Sequence, residues 1–176
     1  MAFADPVKNI SYLKIFPTMK VADLGAGTGA YTLELAKKIG PDGKVYAVEI
    51  QKDFLEVIKK EADSQELKNV EVIWGDIEKV NGTGLADNFV DAVVASNVLF
   101  QMSSIYVFAQ EIKRILKAGG QVLVVDWSDS FGGVGPEAST VVKPEKAKEV
   151  FASVGLEFGQ EFEAGDNHYG LIFTKK

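Results

Sequence analysis

The sequence predicts a doubly wound α/β fold, with a seven-stranded, mostly parallel sheet, an antiparallel last strand and helices on both faces. Segments with strand character alternate with segments of helical periodicity along most of the chain, which is the pattern of βα units. Residues 90–95 (VDAVVA) form a nearly continuous apolar run, typical of a parallel strand covered on both faces. The last two strands have a short connection, which excludes a crossover and requires a hairpin.

The first half of this pattern begins with a strand at residues 20–24, which leads into a glycine-rich turn at 25–29. Apolar residues at helical spacing predict a helix over 31–39, and the tripeptide PDG at 41–43 ends it with a turn. A second strand follows at 44–49. These elements form the first βαβ unit of the predicted sheet.

Helical spacing returns at residues 54–58, and the β-rich run VEVIW predicts a third strand at 70–74. The fourth strand is the apolar run at 90–95, and isoleucine and phenylalanine at helical spacing mark another helix over 105–115. This part therefore continues the alternation of strand and helix.

Gly119 and Gly120 are expected to end that helix and to open the fifth strand at 121–126, before a loop rich in glycine and serine. Pro144 at the start and Gly155 at the end delimit the last helix. The chain is expected to close with strands at 156–162 and 168–174, joined through residues 163–167.

The length of 176 residues favours a single domain over residues 1–176. We expect a Rossmann-like core over 20–176 and an N-terminal segment, 1–19, that lies over the ligand-binding edge of the sheet. Apolar residues make up 47% and charged residues 25% of the chain, as in folded globular proteins.

The net charge of −6 argues against general affinity for nucleic acid, because the field of the protein would repel polyphosphate. No cysteine is present and there is one histidine, so no metal site is predicted. The uncharged residues 92–110 approach the length of a membrane span, but polar side chains interrupt them, so we predict no span. The start of the chain lacks the apolar core of a secretory signal, which favours a cytoplasmic protein.

The glycine turn is the first candidate site, because Gly25, Gly27 and Gly29 lie between a strand and a helix. Missing Cβ atoms at these positions let a ligand approach the backbone. The pattern Gly25-x-Gly27-x-x-Ala30, followed by Glu49, also satisfies a nicotinamide-dinucleotide fingerprint, and a plain tight turn stays a further alternative.

Five motifs follow one another along the chain, namely DLGAGTG at 23–29, VYAVEI at 45–50, GDI at 75–77, DAVVASN at 91–97 and LKAGGQVL at 116–123. In kind and order they resemble the motifs of the class I S-adenosylmethionine-dependent methyltransferase family, in the small-molecule branch that includes quinone-biosynthesis enzymes. The five motifs span most of the chain.

The resemblance implies the strand order 3-2-1-4-5-7-6 and S-adenosylmethionine as the cofactor, with S-adenosylhomocysteine as its product. It implies a set of cofactor-binding residues, which are Asp23, Gly25, Ala26, Gly27, Thr28, Gly29, Tyr31, Glu49, Ile50, Gly75, Asp76, Ile77, Ser96 and Asn97.

Three carboxylates have expected roles within this set, each with an ordinary structural alternative. Glu49 can accept two hydrogen bonds from ribose hydroxyls, or it is a plain acid at the end of a strand. Asp76 can accept from the adenine amino group beside Ile77, or it is a turn residue. Asp23 is placed for the positive amino-acid end, and it can also cap the amides of the glycine turn.

The acceptor side is less defined, because the segment after the fourth strand, SNVL, lacks the Asn-Pro-Pro-aromatic signature of methyltransferases that act on amino groups. Trp127, Phe131, Tyr12 and Phe16 are candidates to line an acceptor site, although aromatic residues are more often core. His168 and Asp126 are candidate bases.

His168 and Tyr169 are expected at the ligand-binding edge of the sheet, because an antiparallel last strand must begin where its parallel neighbours end. A structural, hydrogen-bonded histidine is the alternative to a base at that position.

The predicted function is methyl transfer from S-adenosylmethionine to a small molecule by in-line displacement, which needs alignment more than acid-base groups. A nicotinamide-dependent oxidoreductase is the alternative from another enzyme class, although Asp23 and the Gly75-Asp76 pair argue against it. A non-catalytic cofactor-binding protein, and a protein or RNA acceptor, also stay open.

Overall fold

The computed structural model describes residues 4–130 and 132–176. The helices are α1 (Pro6–Ile10), α2 (Ala30–Ile39), α3 (Lys52–Ser64), α4 (Ile105–Ile115) and α5 (Pro144–Ser153). The strands are β1 (Lys20–Leu24), β2 (Lys44–Glu49), β3 (Val70–Trp74), β4 (Val90–Ser96), β5 (Leu116–Trp127), β6 (Leu156–Gly165) and β7 (His168–Lys175). A 3-10 turn, Leu99–Gln101, follows β4.

The strands form one seven-stranded sheet in the order β3-β2-β1-β4-β5-β7-β6, which confirms the expected topology. The pairs among β1 to β5 are parallel, whereas β7 runs antiparallel to both β5 and β6. The carboxyl ends of β1, β2, β4 and β5 therefore share one edge of the sheet with the start of β7, and this edge is where ligands bind in open α/β sheets.

The fifth strand was predicted to start at Gln121, but it starts at Leu116. Leu116 pairs with Val90, and the register then shifts so that Gln121 pairs with Ala92. Gly119, with a φ of 77°, belongs to this irregularity and does not precede the strand. The chain therefore enters the sheet directly from α4, with a bulge where the glycines were read as a break.

The final hairpin is tighter than predicted, because β6 continues to Gly165 and leaves only Asp166 and Asn167 between the strands. Asn167 has a φ of 57°, a left-handed conformation that asparagine tolerates in turns. This turn lies at the ligand-binding edge.

The core has a layer on each face of the sheet. On one face α4 and α5 pack through Phe108, Ile112 and Phe151, and on the other α1 and α2 pack through Ile10 and Leu35. Within residues 4–130 and 132–176, no helix is both long and apolar enough to cross a membrane.

The N-terminal helix α1 has no counterpart in the sequence prediction. Its first turn is capped by Asp5, whose carboxylate accepts the Val7 amide at 2.9 Å, and Pro6 occupies its first turn. Asn9 holds it to the sheet, because its buried amide donates to the Ala164 carbonyl at 3.0 Å. Tyr12 adds a stacked contact with Phe162, with ring centroids 3.6 Å apart.

Candidate active site

A cavity of about 470 Å³ opens at the carboxyl ends of β1, β2 and β4. All of the predicted cofactor residues except Thr28 and Gly29 line this cavity. Sequence reasoning missed other lining residues, among them Phe54, Gln101 and Met102. Phe54 lies in the first turn of α3, and the 3-10 turn returns Gln101 and Met102 to the cavity, which no motif in the sequence indicates.

The glycine turn lies directly against the neighbouring strand ends. The amides of Gly25 and Ala26 both donate to the Val48 carbonyl, at 2.9 and 3.2 Å. Gly25 has a φ of 73°, and a Cβ atom there would lie 2.5 Å from Cγ1 of Val98. Glycine is therefore required at this position by both conformation and space.

Glu49 ends β2 with a side chain that is only 6% exposed, and its carboxylate holds the glycine turn. Oε2 accepts the Gly27 amide at 2.9 Å, and Oε1 accepts the amides of Ile50 and Gln51, each at 2.9 Å. A carboxylate has about four lone-pair directions. Oε2 therefore retains one direction for a further donor in the cavity.

Asp23 is buried at the end of β1 and supports the start of α2. Its carboxylate accepts from Oγ1 of Thr32 at 2.6 Å and from the Thr32 amide, while the helix N-cap, Gly29, offers no side chain. The amide that it caps thus belongs to α2 and not to the glycine turn. Burial raises the pKa of Asp23 to about 6, and the nearby Glu49 carboxylate acts in the same direction.

Asp76 follows β3 in a tightly folded loop. Its amide donates to the Gly82 carbonyl at 3.0 Å, and its Oδ2 pairs with Nζ of Lys79 at 2.8 Å. The hydrogen bond from Lys79 holds the pKa of the Asp76 carboxyl below its usual range. The loop thus presents an ionised carboxylate to the cavity beside Ile77.

Tyr31, which is buried, and Ser96, which is half-buried, both line the cavity. The Tyr31 hydroxyl accepts from Nδ2 of Asn9 at 2.9 Å and hydrogen-bonds with Ser96. Burial raises the pKa of Tyr31, so the hydroxyl keeps its proton at neutral pH. Asn97 is next along the chain, in a left-handed conformation with a φ of 57°. Its buried Oδ1 has no hydrogen-bond partner in the described part of the chain.

His168 lies at the cavity edge of the sheet, as its strand direction predicted, because it pairs with Trp127 at the end of β5. It is only 3% exposed, and its Nδ1 lies 2.7 Å from the Asp166 carbonyl. This contact assigns a proton to Nδ1, because a carbonyl oxygen only accepts hydrogen bonds. Neither His168 nor Trp127, whose ring centroid lies 4.2 Å away, lines the cavity, so a base role stays a prediction.

The other acceptor-side candidates are also turned away from the cavity. The Tyr169 hydroxyl donates to the Val142 carbonyl at 2.8 Å, and the Asp126 carboxylate accepts backbone amides. Tyr12 packs on Phe162, and Phe16 is 60% exposed, so these rings do not line the cavity either. Phe131 lies outside the described residues.

Comparison with known proteins shows which family the chain belongs to. A family model described as a methyltransferase domain matches residues 15–168. The chain belongs to the S-adenosylmethionine-dependent methyltransferase family. A S-adenosylmethionine-dependent methyltransferase from Aquifex aeolicus superimposes with a TM-score of 0.88 at 27% identity, covering 98% of this chain and 90% of that one.

Curated relatives of this chain include a demethylmenaquinone methyltransferase from Bacillus mycoides, 31% identical over 66% of this chain and 48% of the relative. A demethylmenaquinone methyltransferase from Staphylococcus aureus is 33% identical over 62% of this chain and 43% of the relative. The chain thus spans about half the length of the curated relatives it matches. The [4+2]-cyclase SpnF, at 16% identity and a TM-score of 0.83 over 97% of this chain and 80% of that one, shares the fold alone.

The cavity fits a cationic cofactor by its own chemistry. Asp23 and Glu49 are buried carboxylates, and neither has an ion-pair partner among the described residues. A buried negative charge is costly unless a positive group offsets it. The sulfonium and ammonium groups of S-adenosylmethionine are such groups, and the cavity volume lies within the range of ligand sites.

Proposed function

We propose that this chain transfers a methyl group from S-adenosylmethionine to a small-molecule acceptor. The observation that carries the proposal is the cavity in which the glycine turn, Glu49 and Asp76 meet at the carboxyl edge of the sheet. When bound, the cofactor supplies an electrophilic methyl group on a sulfonium. The residues of the chain then have to bind and orient the cofactor and the acceptor and to exclude water, because in-line displacement depends mainly on alignment.

The proposed binding roles follow the free hydrogen-bonding capacity of each group. Oε2 of Glu49 can accept a hydrogen bond from one ribose hydroxyl. Oε1 already accepts two backbone amides, so a second ribose hydroxyl can bond to it only by sharing a lone pair with one of those amides. Asp76, held ionised by Lys79, can accept from the adenine amino group. Asp23 faces the amino-acid end, where its carboxylate is opposite the positive charges.

Glu49→Ala is the variant that tests the ribose assignment. We expect wild-type affinity for S-adenosylhomocysteine in the micromolar range, and a loss of about 1 to 3 kcal/mol in the variant, because charge-assisted hydrogen bonds are removed. Titration calorimetry measures both. Glu56→Ala, which removes an exposed carboxylate of α3 outside the cavity, is the matched control and should bind normally. Unchanged affinity in Glu49→Ala would remove the assignment, and tighter binding of a nicotinamide dinucleotide would overturn the enzyme class.

The acceptor is proposed to be a small hydroxylated ring of the quinol type. Two observations support this class: the names of the curated relatives, and the net charge of −6, which disfavours a polyanion such as RNA. The match covers less than half of each relative, so the acceptor is proposed as a chemical class and not as a particular quinone.

An acceptor screen that measures released S-adenosylhomocysteine tests the proposal. Quinols and catechols are expected to give turnover, whereas carboxylates, thiols, RNA and unrelated proteins are expected to give none. Turnover with RNA or protein alone would reassign the acceptor. Cofactor binding without turnover on any acceptor would instead indicate a non-catalytic binding protein. The fold does not exclude that result, because the cyclase SpnF shows that the same architecture occurs with a different reaction.

A further inference from the structure

Asp126 is a fully buried carboxylate at the end of β5 whose partners are backbone amides. Oδ2 accepts the Leu99 amide at 2.7 Å, Oδ1 accepts the Trp127 amide at 2.8 Å, and the Val98 amide also donates to the carboxylate. None of the ion pairs in the described part of the chain involves this carboxylate. Such a buried charge is costly to keep unless hydrogen bonds offset the cost, and here backbone amides supply them.

The segment that Asp126 holds forms one wall of the cavity. Asn97 and Val98 line the cavity, whereas Asp126 does not. Val98 occupies the space that Gly25 leaves by lacking a Cβ atom, so it fixes the distance between this wall and the glycine turn. The Asn97 amide donates to the Val125 carbonyl at 2.8 Å, which places the turn directly over β5.

The same wall presents an unused hydrogen-bond acceptor. Oδ1 of Asn97 is buried and unpartnered among the described residues, and an acceptor in this state is costly unless a donor reaches it. Asp23 lies at the end of the adjacent strand β1, which pairs with β4. A positively charged donor beside Asp23 would therefore also suit Asn97.

We propose that Asp126 is a positioning residue, which holds the turn after β4 so that Asn97 accepts a hydrogen bond from the α-ammonium of the cofactor's amino-acid part. The inference rests on the proposed function, because it takes the cavity to be the cofactor site. A carboxylate suits this role because it only accepts hydrogen bonds. An asparagine at 126 would turn an NH₂ group toward a backbone N–H, so one of the amides would lose its partner.

The test compares two ligands that differ only in the amino-acid part, S-adenosylhomocysteine and 5′-methylthioadenosine. Asp126→Asn is expected to weaken S-adenosylhomocysteine about tenfold, the effect of losing one hydrogen bond to a charged group, while 5′-methylthioadenosine changes less than about twofold. Asp91→Asn is the matched control, since its carboxylate accepts the Lys20 amide at 2.8 Å at the opposite end of β4. This control should leave both affinities unchanged.

Asn97→Gly is the second variant, needed where Asp126→Asn fails to fold. Glycine tolerates the left-handed conformation at 97 and removes the amide, so the same ligand-selective loss is expected. Equal losses for both ligands, or no loss for S-adenosylhomocysteine in the folded variants, would overturn the inference. Failure of the wild-type chain to bind either ligand would contradict the proposed function itself, which separates the two outcomes.

Discussion

Gly25→Ala is expected to reduce the affinity for S-adenosylhomocysteine at least about 100-fold, because two independent penalties act at that position. The backbone φ of 73° is unfavourable for any residue with a side chain. The added Cβ would also lie 2.5 Å from Cγ1 of Val98 and 3.3 Å from Cδ1 of Ile77. Val98 has little freedom to move, since its amide is held by Asp126. The strain should therefore displace the cavity wall or the glycine turn.

Calorimetry with S-adenosylhomocysteine measures this effect. The control Gly119→Ala separates the penalty of the positive φ from the penalty of the steric clash. Gly119 has a similar φ of 77°, but nothing lies within 4 Å of the position of its Cβ. That control should lose about 1 to 2 kcal/mol of stability and keep its affinity. If the Gly25→Ala variant binds S-adenosylhomocysteine within about threefold of the wild-type affinity, the glycine turn is not in close contact with the ligand.

Glu111→Ala is expected to lower the free energy of unfolding by about 3 to 5 kcal/mol, because it leaves buried partners of a carboxylate without an acceptor. The Glu111 side chain is 0% exposed, and Nη2 of Arg114 lies 2.7 Å from its Oε1. It also accepts the Asn81 amide at 2.9 Å and Oγ1 of Thr83 at 2.7 Å. The variant should therefore release the loop that follows β3.

Urea denaturation measures this loss, with Asp87→Ala as the matched control. Asp87 pairs with the same Arg114 at 2.6 Å, but its side chain is 71% exposed, so its removal should cost less than about 1 kcal/mol. Similar losses in the two variants would contradict the importance of burial in this network.

The contribution of Glu111 should also depend on pH. Burial opposes ionisation of this carboxyl, but hydrogen bonds from Arg114 and Thr83 outweigh it and hold its pKa below the usual range. Its stabilisation is therefore fully present above the ordinary glutamate pKa of about 4.3 and is lost as the pH falls through the lowered value. The difference in stability between wild type and Glu111→Ala should shrink over that acidic range.

The topology and the cavity edge were predictable because they follow from connection lengths and strand direction. The short link before His168 required an antiparallel hairpin, and that direction alone carried His168 to the correct edge. The order of the parallel strands came from the family resemblance, since hydrophobic periodicity does not distinguish one neighbour from another. The glycine turn and Glu49 were recognisable because their motif is local in sequence.

Contacts that depend on packing between distant segments were not predictable. Asp126 was a candidate base on the acceptor side, but the turn after β4 folds back over it and supplies backbone amides. Helix α1 is too short to produce an apolar period, and its position depends on Asn9, which reaches Tyr31 and Ala164. Gln101 and Met102 reach the cavity through a 3-10 turn whose sequence has no distinctive signal.

A two-dimensional amide NMR titration of the wild-type chain with S-adenosylhomocysteine tests the central claim most directly, because it reports binding and its location together. The cofactor assignment predicts saturable shifts that are largest at the amides of Gly27, Ile50 and Ile77. These residues border the cavity just after the ends of β1, β2 and β3. The surface cleft around Asn88 and Lys113, at the opposite edge of the sheet, should not respond. Absence of saturable shifts, or shifts concentrated at that second cleft, would contradict the assignment of the cavity as the cofactor site.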